Sequence, residues 1–245
     1  MSTYTELRRS YMTAECLIVQ HVAAEPPGLI EEAVVAAGMT ARTVRVFAAE
    51  PVPTDATGFR GLVVMGGPMG VADVGRLPHL RAEMTLIESA LKHDIPVMGV
   101  CLGSQLLAAA LGSRVTPGPA KEIGWHPVTL LDGGQRDRLL TAAPPRFNAF
   151  HWHGDVFDLP PGAVALARSE RTPLQAFRYG ERAYGFLFHL EVTEAIVGQM
   201  VGAFPDELAE AGIDGDTLRG DSRTHLPELQ PVARSVFSKW TRLGT

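Results

Sequence analysis

The first half of the chain alternates short apolar runs with longer segments of helical periodicity. The runs cover residues 16–22, 44–47, 61–65 and 96–100. Between 80 and 91, apolar side chains recur at three- and four-residue steps, and residues 104–111 form a further helical segment that ends at Gly112. Strands that are apolar throughout and alternate with helices predict a parallel sheet covered on both faces.

The pattern changes after Gly112. Extended stretches interrupted by glycine and proline cover residues 122–131, 146–156, 163–169 and 174–190, which predicts antiparallel additions to the same sheet. From Thr193 onward the chain is helical again. Glycines at 212, 215 and 220 predict a break before a last helix over 229–243, whose apolar stripe of Val232, Val236 and Trp240 is expected to pack against the core.

One domain is the better interpretation of the 245 residues. No repeat, low-complexity tract or linker-like change of composition divides them, although the length alone allows either one domain or two. We divide the chain into an N-terminal extension (1–13), a main α/β unit (14–195) and a helical C-terminal part of the same domain (196–245).

Composition and charge narrow the function classes. The net charge is −5 and no basic run occurs, so nucleic acid is not an expected partner, and a small neutral or zwitterionic substrate fits better. The two cysteines, Cys16 and Cys101, are too few for a disulfide framework. No segment has the apolar length of a signal peptide or a membrane span, so we expect a cytoplasmic protein without a membrane partner.

The most informative site is the segment around Cys101. Gly99 and Gly103 lie two residues before and after it, between a predicted strand and a predicted helix. This spacing is typical of the tight turn that exposes a nucleophile, and the helix N-terminus favours a thiolate. The alternative interpretation is a buried cysteine, with glycines that only permit a tight turn.

His189 and Glu191 supply the groups that a cysteine nucleophile requires. On an extended chain, residues two positions apart point to the same side, so one carboxylate can hold the imidazole toward the thiol. The backbone N–H groups of Gly67 and Leu102 are candidates for an oxyanion hole, because glycines follow an apolar strand at 66–67 and Leu102 follows the nucleophile. Each signal is weak alone, but together they describe one acyl-transfer site.

These residues resemble the class I glutamine amidotransferase family, and more closely the branch similar to the amidotransferase domain of GMP synthetase. The resemblance covers about residues 14–195. The matching segments occur in the family's order and are Met65-Gly66-Gly67-Pro68-Met69, Gly99-Val100-Cys101-Leu102-Gly103-Ser104-Gln105, Glu122-Ile123-Gly124-Trp125, His153-Gly154-Asp155 and His189-Leu190-Glu191.

The resemblance implies a three-layer, flavodoxin-like α/β fold with a mostly parallel central sheet, a nucleophile elbow and small antiparallel additions. It also implies hydrolysis of the γ-amide of glutamine without a metal or other cofactor. Cys101 would form a γ-glutamyl thioester, His189 would transfer protons and Glu191 would orient it. The resemblance assigns substrate binding to Gln105 and to the loop of His151, Trp152 and His153, largely through main-chain atoms.

Two positions depart from the family's usual pattern. Leu190 stands where proline is frequent, and Trp152 stands where serine is frequent, so recognition at Trp152 rests on the backbone. No Gly-x-x-x-x-Gly-Lys-Ser/Thr loop or Ser-Gly-Gly phosphate loop follows the site. Either a separate synthetase subunit accepts the ammonia, or the protein is a stand-alone γ-glutamyl peptidase that acts on γ-glutamyl conjugates.

The residues leave three further alternatives. Loss of a triad member is the usual sign of a catalytically silent regulatory or binding subunit, and all three members are present. A cysteine hydrolase of unrelated esters or amides would make the match at Gln105 a coincidence. His151 and His153 could join His189 and Glu191 as four metal ligands, but the triad assignment already uses the second pair, so we predict no metal.

Overall fold

The structure is a computed structural model that describes residues 14–244, so the predicted extension over 1–13 lies outside the described residues. Within this range, nine strands form one sheet with helices on both faces. The strands are β1 (Glu15–Gln20), β2 (Thr40–Arg45), β3 (Gly61–Val64), β4 (Val97–Val100), β5 (Val115–Leu130), β6 (Arg146–Phe157), β7 (Ala163–Arg168), β8 (Ala176–Tyr179) and β9 (Ala183–Phe186). The helices are α1 (Leu29–Ala36), α2 (Pro78–Lys92), α3 (Leu102–Ala110), α4 (Asp132–Gln135), α5 (Glu194–Ala203), α6 (Pro205–Ala211) and α7 (Gly215–Thr241).

The sheet has a parallel half and an antiparallel half. Its strand order is β2-β1-β3-β4-β9-β8-β7-β5-β6, with parallel pairing from β2 through β9 and antiparallel pairing from β9 to β6. The parallel order β2-β1-β3-β4-β9 is that of doubly wound flavodoxin-like sheets. The prediction of a mostly parallel centre with antiparallel additions is confirmed.

Alternate residues of β1 show how the sheet is covered on both sides. Cys16 and Ile18 point into a core shared with α1 and α7, whereas Leu17 and Val19 point into a core shared with α2 and α3. Successive side chains of a strand leave opposite faces, so a strand between two helical layers must be apolar at every position.

The C-terminal region differs from the prediction. No break occurs at Gly220, because α7 is one helix from Gly215 to Thr241 that contains Pro227 and Pro231. Its buried stripe, which includes Leu226, Leu229 and Trp240, packs on the core. Burial of this apolar face outweighs the helix-breaking tendency of glycine and proline. The expected packing of Val232, Val236 and Trp240 is confirmed.

Two strand predictions also need correction. The stretch 174–190 contains two short strands, β8 and β9, which pair with each other, and the chain leaves the sheet after Phe186. Beyond that point, His189 makes only an isolated bridge with Phe150. The second strand is Thr40–Arg45, and the predicted residues 46 and 47 belong instead to a short 3-10 helix, Val46–Ala48.

The parallel strands bring distant segments together at one edge of the sheet. β1, β3, β4 and β9 all point the same way, so the residues that follow their carboxyl ends meet. Ligand sites of open α/β sheets lie at this edge. Among the described residues, no helix is long and apolar enough to cross a membrane.

Candidate active site

Cys101 occupies a strained turn between β4 and α3. Its backbone has φ 49° and ψ −110°, and α3 begins at the next residue. A positive φ is uncommon for a residue with a side chain, and such strain is frequent at functional sites. Hydrogen bonds from Cys101 N to Phe186 O (2.8 Å) and from Gly103 N to Met65 O (3.2 Å) fix the turn to the neighbouring segments.

The flanking glycines are required by close backbone contacts. A Cβ on Gly99 would lie 2.5 Å from the carbonyl carbon of Gly103, and a Cβ on Gly103 would lie 2.6 Å from the carbonyl carbon of Val64. The helix therefore approaches the sheet more closely than any side chain allows. This is the physical reason for the Gly-x-Cys-x-Gly spacing.

The structure brings Cys101, His189 and Glu191 together. A Cβ on Gly66 would lie 3.2 Å from His189 Cε1 and 3.3 Å from Cys101 Cβ, so both residues adjoin the same glycine. His189 Nδ1 lies 2.7 Å from Glu191 Oε1, and all three side chains are buried. In this state the thiol of Cys101 donates to Trp152 O at 3.4 Å, while His189 Nε2 makes no hydrogen bond to any of residues 14–244.

Burial and neighbouring charges shift the pKa values of this group. Burial raises the pKa of the Cys101 thiol, although interactions with His189 and the Leu102 N–H reverse part of the shift. Burial disfavours the charged imidazole of His189, but Glu191 and Cys101 outweigh it and raise its pKa well above the ordinary value. Burial thus opposes the stabilisation of a thiolate by the helix N-terminus, while His189 favours the thiolate.

A cavity of about 260 Å³ opens above the thiol. Three of the four predicted substrate-binding residues, Gln105, Trp152 and His153, line it, and so does Gly67 of the predicted oxyanion hole. Gln105 Nε2 donates to the backbone oxygen of Asp155 at 3.3 Å. The site therefore has a buried thiol, a hydrogen-bonded His–carboxylate pair and a small polar pocket.

The comparisons with known proteins agree with this geometry. A family model described as "Glutamine amidotransferase class-I" matches residues 28–201. The chain belongs to the class I glutamine amidotransferase family. It is 40% identical over 177 residues to the glutamine amidotransferase-like protein YfeJ of Salmonella typhimurium, covering 71% of this chain and 74% of that protein.

Further relatives define the extent of the family resemblance. GMP synthase [glutamine-hydrolyzing] of Nitrosomonas eutropha is 32% identical over 164 residues, but the match spans only 30% of that protein. A crystal structure of a glutamine amidotransferase from Thermotoga maritima superposes with a TM-score of 0.85 at 31% identity, covering 94% of this chain and 99% of that one. A glutamine amidotransferase from Methylobacillus flagellatus gives a TM-score of 0.86 at 30% identity and covers 94% and 95% of the two chains.

His21 contacts the peptide unit that carries the Gly67 N–H, a predicted oxyanion-hole donor. His21 Nδ1 lies 2.9 Å from the carbonyl oxygen of Gly66, and Nε2 lies 2.7 Å from Glu83 Oε2. Burial lowers the pKa of His21, but the contact with Glu83 outweighs it and the net shift is upward, so both ring nitrogens can donate. The Gly66 carbonyl and the Gly67 N–H belong to one planar peptide unit, so holding one orients the other.

Replacing His21 by leucine should therefore lower the kcat of amide hydrolysis about 10- to 100-fold, because a misaligned oxyanion donor acts mainly in the transition state. The glutamine side chain of His21→Gln can still donate to Gly66 O, so this variant should lose less activity than His21→Leu. His79→Leu is the matched control, since His79 contacts Glu83 at 3.0 Å but not Gly66. Steady-state kinetics test the expectation, and a His21→Leu enzyme with unchanged kcat and unfolding temperature would contradict it.

The C-terminal helices close one side of the cavity. Phe204 and Glu207 line it, and the Trp152 ring packs 5.9 Å from the Phe204 ring. The indole Nε1 of Trp152 also donates to Glu207 Oε2 at 3.2 Å. Trp152 stands where the family frequently has serine. Its side chain thus anchors α6, while its backbone oxygen faces the thiol.

His151 lies behind the cavity rather than in it. Its ring is fully buried, with Nδ1 3.5 Å from His153 Nε2, and His153 Nε2 is 3.5 Å from Glu122 Oε2. Burial lowers the pKa of His151 well below its ordinary value and that of His153 to about 4, so both rings are neutral. A substrate contact at His151 must therefore be made by its backbone.

Two groups within residues 14–244 have the composition of metal ligands, namely His21, His79 and Glu83, and Glu122, His151 and His153. Neither is the set of four drawn from the sequence, because His189 and Glu191 pair with each other. Glu122 Oε2 already accepts hydrogen bonds from Thr172 Oγ1 at 2.6 Å and Gln175 Nε2 at 2.8 Å. We therefore describe both groups as hydrogen-bonded networks.

Sequence reasoning missed several residues of the site. Glu25 and His21 lie in the segment that follows β1, beside the carboxyl ends of the parallel strands. That position is the sequence feature that could have indicated both as site residues. Phe204 and Glu207 reach the cavity only because α6 folds back over β5, and no local pattern indicates this.

Proposed function

We propose that the protein hydrolyses the γ-amide of glutamine through Cys101, His189 and Glu191 and supplies the ammonia to a separate synthetase. The observation that carries the proposal is the buried His189–Glu191 pair, in which Nδ1 and Oε1 are 2.7 Å apart. The pair adjoins a cysteine at the strained turn before α3. Membership of the class I glutamine amidotransferase family supports glutamine as the amide.

In this mechanism the thiol proton leaves Cys101 through His189, and the sulfur attacks the amide carbon. The N–H groups of Gly67 and Leu102 stabilise the oxygen anion. The tetrahedral intermediate then collapses as His189 protonates the departing nitrogen, which releases ammonia and leaves a γ-glutamyl thioester on Cys101. His189 next removes a proton from water, which attacks the thioester and releases glutamate.

Glu191 fixes the direction of the imidazole throughout the cycle. Its Oε1 accepts the hydrogen bond from His189 Nδ1, which leaves Nε2 free to exchange protons with the sulfur, the leaving nitrogen and water. The same carboxylate stabilises the imidazolium that forms in each step. Gln105 and the backbone of residues 151–153 would hold the α-amino and α-carboxylate groups of the substrate from the opposite wall.

The separate synthetase is proposed from the relatives. GMP synthase is named as glutamine-hydrolysing, and this chain matches 30% of its length. An amidotransferase whose acceptor is on another polypeptide would hydrolyse glutamine slowly in the absence of that polypeptide, because ammonia released without the acceptor is not used. We expect a kcat below the enzyme median of about 10 s⁻¹ for the isolated chain.

The test is release of glutamate and ammonia from glutamine by the purified protein, with γ-glutamyl dipeptides assayed beside it. The Cys101→Ala variant is the blank. We expect equimolar glutamate and ammonia from glutamine. Hydrolysis of the dipeptides with glutamine untouched would replace the proposal by a γ-glutamyl peptidase, and turnover of an unrelated amide alone would remove the γ-glutamyl assignment.

A further inference from the structure

Glu25 is a buried carboxylate that faces the active-site cavity without a partner. It lies in the loop between β1 and α1, is 5% exposed, and lines the cavity together with Cys101 and Gly67. Among residues 14–244 its carboxylate makes no hydrogen bond and no ion pair, while its backbone N–H donates to Val22 O at 3.4 Å. An ionised carboxylate removed from water and left unpaired is costly, so this position favours a bound cation.

The surroundings of Gly66 show where Glu25 lies relative to Cys101 and His189. A Cβ on Gly66 would overlap Glu25 Oε2 and would also lie 3.2 Å from His189 Cε1 and 3.3 Å from Cys101 Cβ. Glu25 therefore adjoins the imidazole that protonates the leaving nitrogen. Gln105 and residues 152–155, which would hold the glutamyl part of the substrate, line the same cavity.

Charged groups of both signs surround Glu25. Burial raises its pKa to about 7, Glu191 and Glu207 add to the rise, and His189 and His21 oppose it. Asp155 also lines the cavity. Lys121 lines it as well, but its ammonium group pairs with Glu210 at 2.8 Å, outside the cavity lining.

We infer that Glu25 binds the departing amine and makes the site selective for amides that release ammonia or a cationic amine over amides whose leaving group carries a carboxylate. This inference rests on the proposed function, because it assigns a role within the same acyl-transfer reaction. The free amino group of a diamine presents a positive charge to Glu25, and ammonia gains one when it takes up a second proton. An amino acid leaving group presents its α-carboxylate, which Glu25 and its acidic neighbours repel.

The proton balance of this step is complete. As the C–N bond breaks, His189 gives its proton to the nitrogen and neutral amine departs. Where Glu25 is protonated, its carboxyl group gives a second proton to the amine, and an ammonium–carboxylate pair remains. The ammonium then leaves to solvent, and Glu25 regains a proton from water.

The experiment compares kcat/KM for three substrates, namely glutamine, γ-glutamylglycine and the γ-glutamyl monoamide of diaminobutane. The wild-type chain should prefer the diaminobutane amide over γ-glutamylglycine. Glu25→Gln, which keeps the shape and removes the charge, should reduce that preference about tenfold, mainly by improving γ-glutamylglycine. Glu88→Gln removes a charge at an exposed position on α2 and should leave the preference unchanged.

The pH dependence distinguishes a charge effect from a steric one. Glu25 gains its charge as the pH rises through the region near its pKa of about 7. The preference for the diaminobutane amide should increase over that range more steeply in the wild type than in Glu25→Gln. Because the other titrating groups, including His189 and His21, are present in both enzymes, the difference between the two profiles reports Glu25. Thermal unfolding of both variants checks that they remain folded.

Each failure has a separate meaning. A Glu25→Gln enzyme with the wild-type preference and wild-type pH profile would overturn the role of Glu25, while hydrolysis of glutamine by the same preparation would leave the proposed function standing. If the wild-type chain hydrolyses none of the three substrates, the proposed function itself fails.

Discussion

Replacing Cys101 by alanine is expected to reduce glutamine hydrolysis about 10⁴-fold or more, because no other group near the amide can form the thioester. The fold should survive. Alanine removes one buried sulfur atom, and the loss of stability should be about 1 kcal/mol. Glutamate release measures the activity, and thermal unfolding measures the stability.

Cys16→Ala is the matched control for this prediction. Cys16 is also fully buried, but it lies within β1, and burial raises the pKa of its thiol to about 12. We expect it to lose a similar amount of stability and no activity. A glutamine-like electrophile should label Cys101 and spare Cys16. Equal turnover by Cys101→Ala, or equal labelling of the two cysteines, would contradict the assignment of the nucleophile.

The pH dependence of the labelling follows from the direction of the shift. The attacking species is the thiolate, and burial raises the pKa of Cys101. Thiolate is therefore scarcer at neutral pH than for an exposed cysteine, and its amount grows as the pH rises. Labelling of Cys101 should accelerate from neutral to alkaline pH, and a rate that falls over this range would contradict the shift.

Gly103→Ala should destabilise the protein by about 3 kcal/mol or more. The new Cβ would overlap the carbonyl oxygen of Val64 and lie 2.6 Å from its carbonyl carbon. Both atoms belong to the backbone of β3 at the centre of the sheet, so relief requires α3 to move away from the sheet. The same movement would displace Cys101, so activity should fall together with stability.

Gly198→Ala is the matched control, because Gly198 lies within α5 and a Cβ there would have no atom within 4 Å. In an unobstructed helix, alanine stabilises by up to about 1 kcal/mol relative to glycine. The two substitutions, identical in chemistry, should thus shift the free energy of unfolding in opposite directions. Urea unfolding measures both, and a neutral result for Gly103→Ala would show that the elbow tolerates a side chain.

Much of the fold could be predicted from the sequence, because strands buried on both faces and helices buried on one have different apolar periods. The prediction was weakest where burial overrides local tendency. In α7, Gly220, Pro227 and Pro231 indicate interruptions, yet the helix continues because its apolar stripe is held against the core. Local propensities of this size are smaller than the gain from burying several large side chains.

The sequence by itself determined Cys101, His189 and Glu191 as candidates, since the glycine spacing and the two-residue step each describe local geometry. Pairing of β4 with β9 is what brings the segment of Cys101 beside that of His189. Only the tertiary structure decided which side chains surround them. His21 reaches the carbonyl of Gly66, and Glu207 reaches the indole of Trp152, across long stretches of chain. Such contacts depend on strand order and on how α6 folds back, and periodicity along the chain carries no information about either.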